Sequence, residues 1–280
     1  ELAAAAYEVG FDFYGITDHN RAQSPVEFVP SGRGWPVLVP GVEVTTYAGH
    51  FNVWGTDTWY DFRDPTPAGI QAAIDAARAD GGFVSLNHPK PFGPPWEYPE
   101  LTGFDAIEPW NGWWNRLNDV STRYWQERLT TGERVCGLGG SDMHYLGISG
   151  DADNPLSPAQ MGMPTLWIQT DSPLSATSIL EALRAGRSFI SESPTGPQIF
   201  VQYDADLLRL AIDIVGAAGD ALVVVADAGI VFAGAIASDS DAFSWDGDVL
   251  ASLFNGSRFL RAEIHRLGGG IRALSQPIWL

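Results

Sequence analysis

Between Gly10 and about Pro194, short β-rich runs alternate with helical ones, and this alternation limits the fold more than any other feature of the chain. It is the pattern of α/β architectures. Phe13–Thr17 and 37–46 read as strands, the second interrupted at Pro40-Gly41. Thr66–Asp80 is the clearest helix: Pro67 suits its first turn, Ile70, Ala73, Ile74 and Ala77 share a face, and Gly81 stops it. Further strands are expected over 83–87, 104–108, 135–139 and 165–169, with helices over 118–131 and 175–185. Residues 1–10 read as the last turns of a helix that closes at Gly10.

After Pro197 the texture changes. Residues 207–215, 221–226 and 258–267 read as strands, and in the last Leu260, Ala262 and Ile264 alternate with Arg261, Glu263 and His265. No helix of useful length is expected there, and His265 reads as a surface residue. The expected organisation is therefore an α/β domain over 1–196 and a small all-β module over 197–280, serving as lid, dimer contact or support. At 280 residues and 45% hydrophobic, the chain can bury a sizeable core, which excludes disorder. A net charge of −18 excludes bulk electrostatic binding of nucleic acid or anionic membrane. No apolar run reaches the roughly 20 residues that a membrane span needs. The single cysteine, Cys136, allows no intrachain disulfide and leaves the compartment undecided, with the cytoplasm slightly favoured.

The chemistry concentrates where strands end. Four of the five histidines stand immediately after expected strands: His19 in Thr17-Asp18-His19-Asn20, His50 in Gly49-His50-Phe51-Asn52, His88 in Asn87-His88-Pro89 and His144 in Ser141-Asp142-Met143-His144. Glu43 and Asp142 add carboxylates, while Asp18 reads as a helix cap or as support for a ligand. In a βα barrel the C-terminal strand ends converge on one mouth. Imidazole and carboxylate together suit divalent Zn, Mn or Fe. A metal centre is the economical reading.

These motifs, in this order, resemble the PHP (polymerase and histidinol phosphatase) superfamily, which carries His-x-His, Thr-Asp-His, Gly-x-Glu, His-Pro and Ser-Asp-x-His. All but the first stand between residues 17 and 144. The runs from Gly49 and Glu181, with Arg261-Ala262-Glu263 and Pro277-Ile278, are similar to the branch that contains carbamate and aryl-ester hydrolases. The resemblance implies a distorted (β/α)7 barrel with two or three divalent ions. Glu43 would bridge two of them, with His50 and His88 on one, Asp142 on the other, and His19 and His144 on a third. It further implies an upstream strand with a His-x-His and an acidic or His residue soon after.

The expected activity is hydrolysis by a metal-bridging hydroxide, with Glu43, Asp142 and His144 central to it. A phosphoester is the first substrate expectation, since Arg21, Lys90 and Arg116 lie close to the metal motifs. A carbamate or carboxylic (aryl) ester is the second, because Trp96, Trp110, Trp113 and Trp114 crowd the loops around Glu108 and Asn111 and could form an aryl slot or simply pack the rim. The reading from another class is a degenerate, non-catalytic binding protein. A small-molecule substrate is the expected partner, and the oligomeric state is left open.

Overall fold

The computed structural model describes residues 1–22, 34–91, 95–146, 160–254 and 256–280. In chain order the elements are α1 (Leu2–Glu8), β1 (Phe13–His19), β2 (Val37–Thr46), β3 (Gly49–Trp54), α2 (Pro67–Ala79), β4 (Phe83–Leu86), β5 (Ala106–Asn111), α3 (Arg116–Thr130) and β6 (Cys136–Gly140). There follow β7 (Thr165–Ile168), α4 (Ala176–Arg184), β8 (Ser188–Ser191), β9 (Gln198–Asp204), β10 (Arg209–Val215), β11 (Ala221–Ala226) and β12 (Gly229–Ala235). The chain ends with β13 (Ser240–Asp246), α5 (Gly247–Phe254), β14 (Phe259–His265), β15 (Ile271–Ser275) and β16 (Ile278–Trp279).

The expected (β/α)7 barrel is not what forms. Among the described residues strand outweighs helix and falls into several sheets, and the first sheet is a half-barrel in the order β1-β2-β3-β4-β5-β6. The physical reason lies in β3. A tight turn at Tyr47-Ala48 reverses the chain without a crossover helix, so β3 runs antiparallel to both β2 and β4. The ladder β1-β2 is parallel, as are β4-β5 and β5-β6. The runs at 165–168 and 188–191 do not extend this sheet. They enter an antiparallel sheet, β12-β11-β14-β15-β8-β7, with β16 paired to β14, which takes strands from both sides of residue 196. A third sheet, β13-β10-β9, packs against it through Leu210, Ile212, Ile214, Leu222, Val224 and Ile264.

The three main helices form where the sequence sets them. Thr66 caps α2, Asn115 caps α3, and Ser175 and Ser178 close a capping box on α4. α5, unforeseen in the sequence, is eight residues long with only Leu250 fully buried.

Period-two alternation divides the half-barrel into two faces. Val42, Val44, Phe51, Val53, Val84, Leu86 and Ile107 turn outward onto α2 and α3. Val39, Phe83, Ala106 and Leu138 turn inward, where α4 brings Ile179, Leu180 and Leu183. Trp54 lies across the inner face over two glycines: a Cβ on Gly15 would come within 2.5 Å of its ring, and one on Gly41 within 3.1 Å.

The β14 segment departs from its expected two-faced pattern, because Phe259 to Ile264 are all buried. Leu260, Ala262 and Ile264 enter the core between the two antiparallel sheets. The polar side instead meets α3. Arg261 donates through Nε to Gln126 (3.0 Å), sits over the Trp125 ring, and pairs with Glu263, which also pairs with His265. His265 is thus half-buried, not a free surface residue. A second tie is made by Gln276, whose side-chain amide bonds both the N–H and the C=O of Gly137 at 2.7 Å.

Candidate metal centre

The inward positions near one end of the half-barrel carry polar groups where apolar ones would otherwise fill the sheet. His19 and Glu43 are directly paired across the parallel β1-β2 ladder. His50 is the second residue of β3, at the start of a strand and not after one; because β3 is antiparallel, its start lies at the same end as its neighbours' finishes. Asn52, Asn87 and Glu108 share this inner face and, with Asn111, Asp142 and His144, line a cavity of about 1170 Å³.

Glu43 is the hub. One carboxylate oxygen lies 2.7 Å from Nδ1 of His50 and 3.1 Å from the Asn87 amide, and the other lies 3.0 Å from Nδ1 of His19. Burial alone would raise its pKa, but the His50 hydrogen bond, the charges of His50 and His19, and Asn87 together hold it below the ordinary glutamate value. One ligand atom from each of His19, Glu43 and His50 lies within 4.8 Å of the others. Across the mouth, Nε2 of His19 faces Nε2 of His144 at 3.2 Å, while Nδ1 of His144 sits 2.8 Å from the Asp142 carbonyl.

His88 continues the ring, its imidazole 5.5 Å from that of His50. Burial, with Lys90 nearby, pushes its pKa down to about 4, so it stays a neutral imidazole. Its Nδ1 is buried without a hydrogen-bond partner among the described residues. A neutral, unpaired imidazole nitrogen beside two other histidines and a shared carboxylate is the donor set that a divalent ion takes. The residues fit such an ion.

Glu108 is the site residue that sequence reasoning missed as a participant. It is buried, and burial together with the charge of Asp142 lifts its pKa to about 8. The backbone N–H of His88 donates to Glu108 at 2.9 Å, and the Asn111 amide approaches it at 3.4 Å. The signal was present in the sequence: an acid at an inward position near the end of an otherwise apolar strand, just where the histidines were sought.

The expected substrate groups separate. Asn111 and Asp18 line the cavity; Arg21, Lys90, Trp113, Trp114 and Arg116 do not. Lys90 donates to Asn111 at 3.0 Å, one residue back from the wall. Arg21 and Arg116 are exposed. Trp113 gives its carbonyl to the amides of Asn115 and Asn118. Trp114 packs edge-on against Trp110, ring centroids 4.8 Å apart, beside Ile190, Ile271 and Leu274. Trp96 packs on Tyr98 and Phe104. The apolar wall comes instead from Phe13, Trp54, Leu138, Leu166, Trp167 and α4.

Backbone strain collects at the same place. Among the described residues, four non-glycine residues have positive φ, and three are here: Asn20 (53°), His88 (26°) and Asp142 (50°). No described helix is long and apolar enough to cross a membrane. No protein-family model matches this chain, and no curated protein matches it.

Proposed function

We propose that the chain is a metal-dependent hydrolase of the PHP kind whose substrate is an uncharged ester or carbamate with an apolar group. The observation that carries this reading is the convergence of His19, Glu43 and His50 within 4.8 Å, with the unpaired Nδ1 of His88 alongside. These four residues would hold the first ion, and Asp142 and His144 would reach a further one from the mouth. A bound divalent ion supplies a water of lowered pKa and polarises the scissile bond. Glu43 fixes the orientation of two imidazoles through its two oxygens.

Of the two ester classes expected from sequence, the cavity favours the second. Among the described residues its lining holds no lysine or arginine, but it holds the carboxylates of Glu1, Asp12, Asp18, Glu43 and Asp142. Such a wall repels a phosphate dianion everywhere except at the ions themselves. The apolar wall from Phe13 to α4 fits an aryl or alkyl group.

The test is elemental analysis of the protein with and without added Zn or Mn, followed by parallel assay of an aryl carbamate, an aryl acetate and an aryl phosphate. Metal uptake that Glu43→Gln abolishes, with faster turnover of the uncharged esters, is expected. Absence of metal refutes the hydrolase, and a preference for the phosphate refutes the substrate class. Retained metal without any turnover favours a binding protein.

A further inference from the structure

The turn that follows β4 has a conformation its own sequence disfavours. His88 has a φ of 26°, in the left-handed region that side chains with a Cβ avoid. Pro89 behind it restricts the backbone again. A conformation opposed locally persists only when its surroundings over-determine it. Three contacts from three elements do so: the N–H of Asn87 donates to the His50 carbonyl at 3.1 Å, the Ser121 hydroxyl on α3 donates to the Pro89 carbonyl at 3.3 Å, and the N–H of His88 donates to Glu108 at 2.9 Å. Only the last reaches His88 itself.

Glu108 is itself held for this task. The Asn111 amide approaches both of its oxygens at 3.4 Å, Asn111 is anchored by Lys90 at 3.0 Å, and its N–H donates to Asn118 on α3. Gly140 on β6, the ladder partner of Asn111, leaves room for the carboxyl: a Cβ there would come within 3.0 Å of a Glu108 oxygen. A buried carboxyl with an amide clamp behind it and a glycine making room is an expensive way to satisfy one N–H. Such an arrangement is warranted where the geometry of that N–H matters.

We propose that Glu108 is a positioning residue: it fixes the His88 backbone and, through it, the place of the imidazole beside His50 at the cavity wall. Only the metal half of its test rests on the proposed function.

The substitutions are Glu108→Met, which keeps the volume and removes the acceptor, and Glu108→Gln, whose carbonyl can still accept the N–H. Amide hydrogen exchange of the 87–90 segment in metal-free protein is the first readout, with a β14 segment as control. Exchange about 10-fold faster in Glu108→Met, wild-type-like exchange in Glu108→Gln and an unchanged control are expected. Titration with Co²⁺, followed by visible absorption, is the second; Glu108→Met should bind about 10-fold more weakly and Glu108→Gln should recover most of the loss. If Glu108→Met does not fold, Asn111→Ala replaces it, since it releases the carboxyl from its clamp and should also speed exchange. Wild-type exchange in these loss variants overturns the proposal, and so does Glu108→Gln behaving like Glu108→Met. Wild-type protein that takes up no Co²⁺ refutes the metal centre alone, and the exchange result still decides the role of Glu108.

Discussion

Replacing Glu263 by Gln tests how the β14 strand is held to α3. Arg261 and Glu263 have side chains only 4% and 6% exposed, and they pair with one another. Burial alone would raise the carboxyl, but Arg261 foremost, with His265, brings its pKa from 4.5 down to about 2. At about 1.4 kcal/mol per pH unit, that drop makes the ionised carboxylate worth about 3 kcal/mol of folding stability. The folded pKa is depressed, so this contribution is complete above the unfolded value of 4.5 and fades as the pH falls through 2. Removing one member of a buried pair strands the other, which costs about 3–5 kcal/mol in comparable cases. Urea denaturation at pH 7 should therefore show Glu263→Gln about 3 kcal/mol less stable than wild type, with the gap closing between pH 4.5 and 2. Replacing both residues by Leu and Met should recover most of the loss. A gap under about 1 kcal/mol at neutral pH, or one as large at pH 2.5 as at pH 7, would refute the reasoning.

Gln276→Ala leaves the buried N–H and C=O of Gly137 without their amide, so thermal and urea melts should show a loss of about 2 kcal/mol or more. Gly15→Ala drives a methyl into the Trp54 ring and should cost about 1–3 kcal/mol, with Trp54→Leu in the same chain restoring part of it. Trp114→Ala should lower stability by about 2–3 kcal/mol while leaving KM for an aryl ester within twofold, because the ring packs on Trp110 outside the cavity. A KM raised 10-fold with unchanged stability would place Trp114 at the substrate after all.

The helices were legible because their signals are local: Thr66, Asn115 and Ser175 cap them, and the apolar face of α2 is written at i, i+3 and i+4. The barrel was not, because its closure depends on strand direction. Nothing within Val37–Trp54 states that a two-residue turn will replace a crossover, yet that turn makes β3 antiparallel and leaves a half-barrel. His50 was found beside Glu43 for a reason that differs from the one expected, since a strand start in an antiparallel neighbour reaches the same end as a strand finish. The polar side of β14 looked like a solvent face because alternation reports which side is apolar and not what covers the other; Gln126 and Trp125 of α3 cover it. Glu108 was less legible because a lone acid within an apolar strand carries no motif, although its inward place on β5 follows the same period-two rule as the histidines.

The left-handed residues at the mouth bear on directed evolution. Asp142 has a φ of 50°, and its charge adds to the burial that keeps Glu108 protonated, so what the chain stores there is backbone strain. Glycine at that position would relieve that strain, by about 1 kcal/mol. A library of this gene selected only for heat resistance should therefore accumulate replacements at 142 and gain robustness at the expense of the proposed metal site. Any screen for a hardier variant has to score metal uptake and the proposed hydrolysis in the same round, or it will select for a well-folded protein that has dismantled its own mouth.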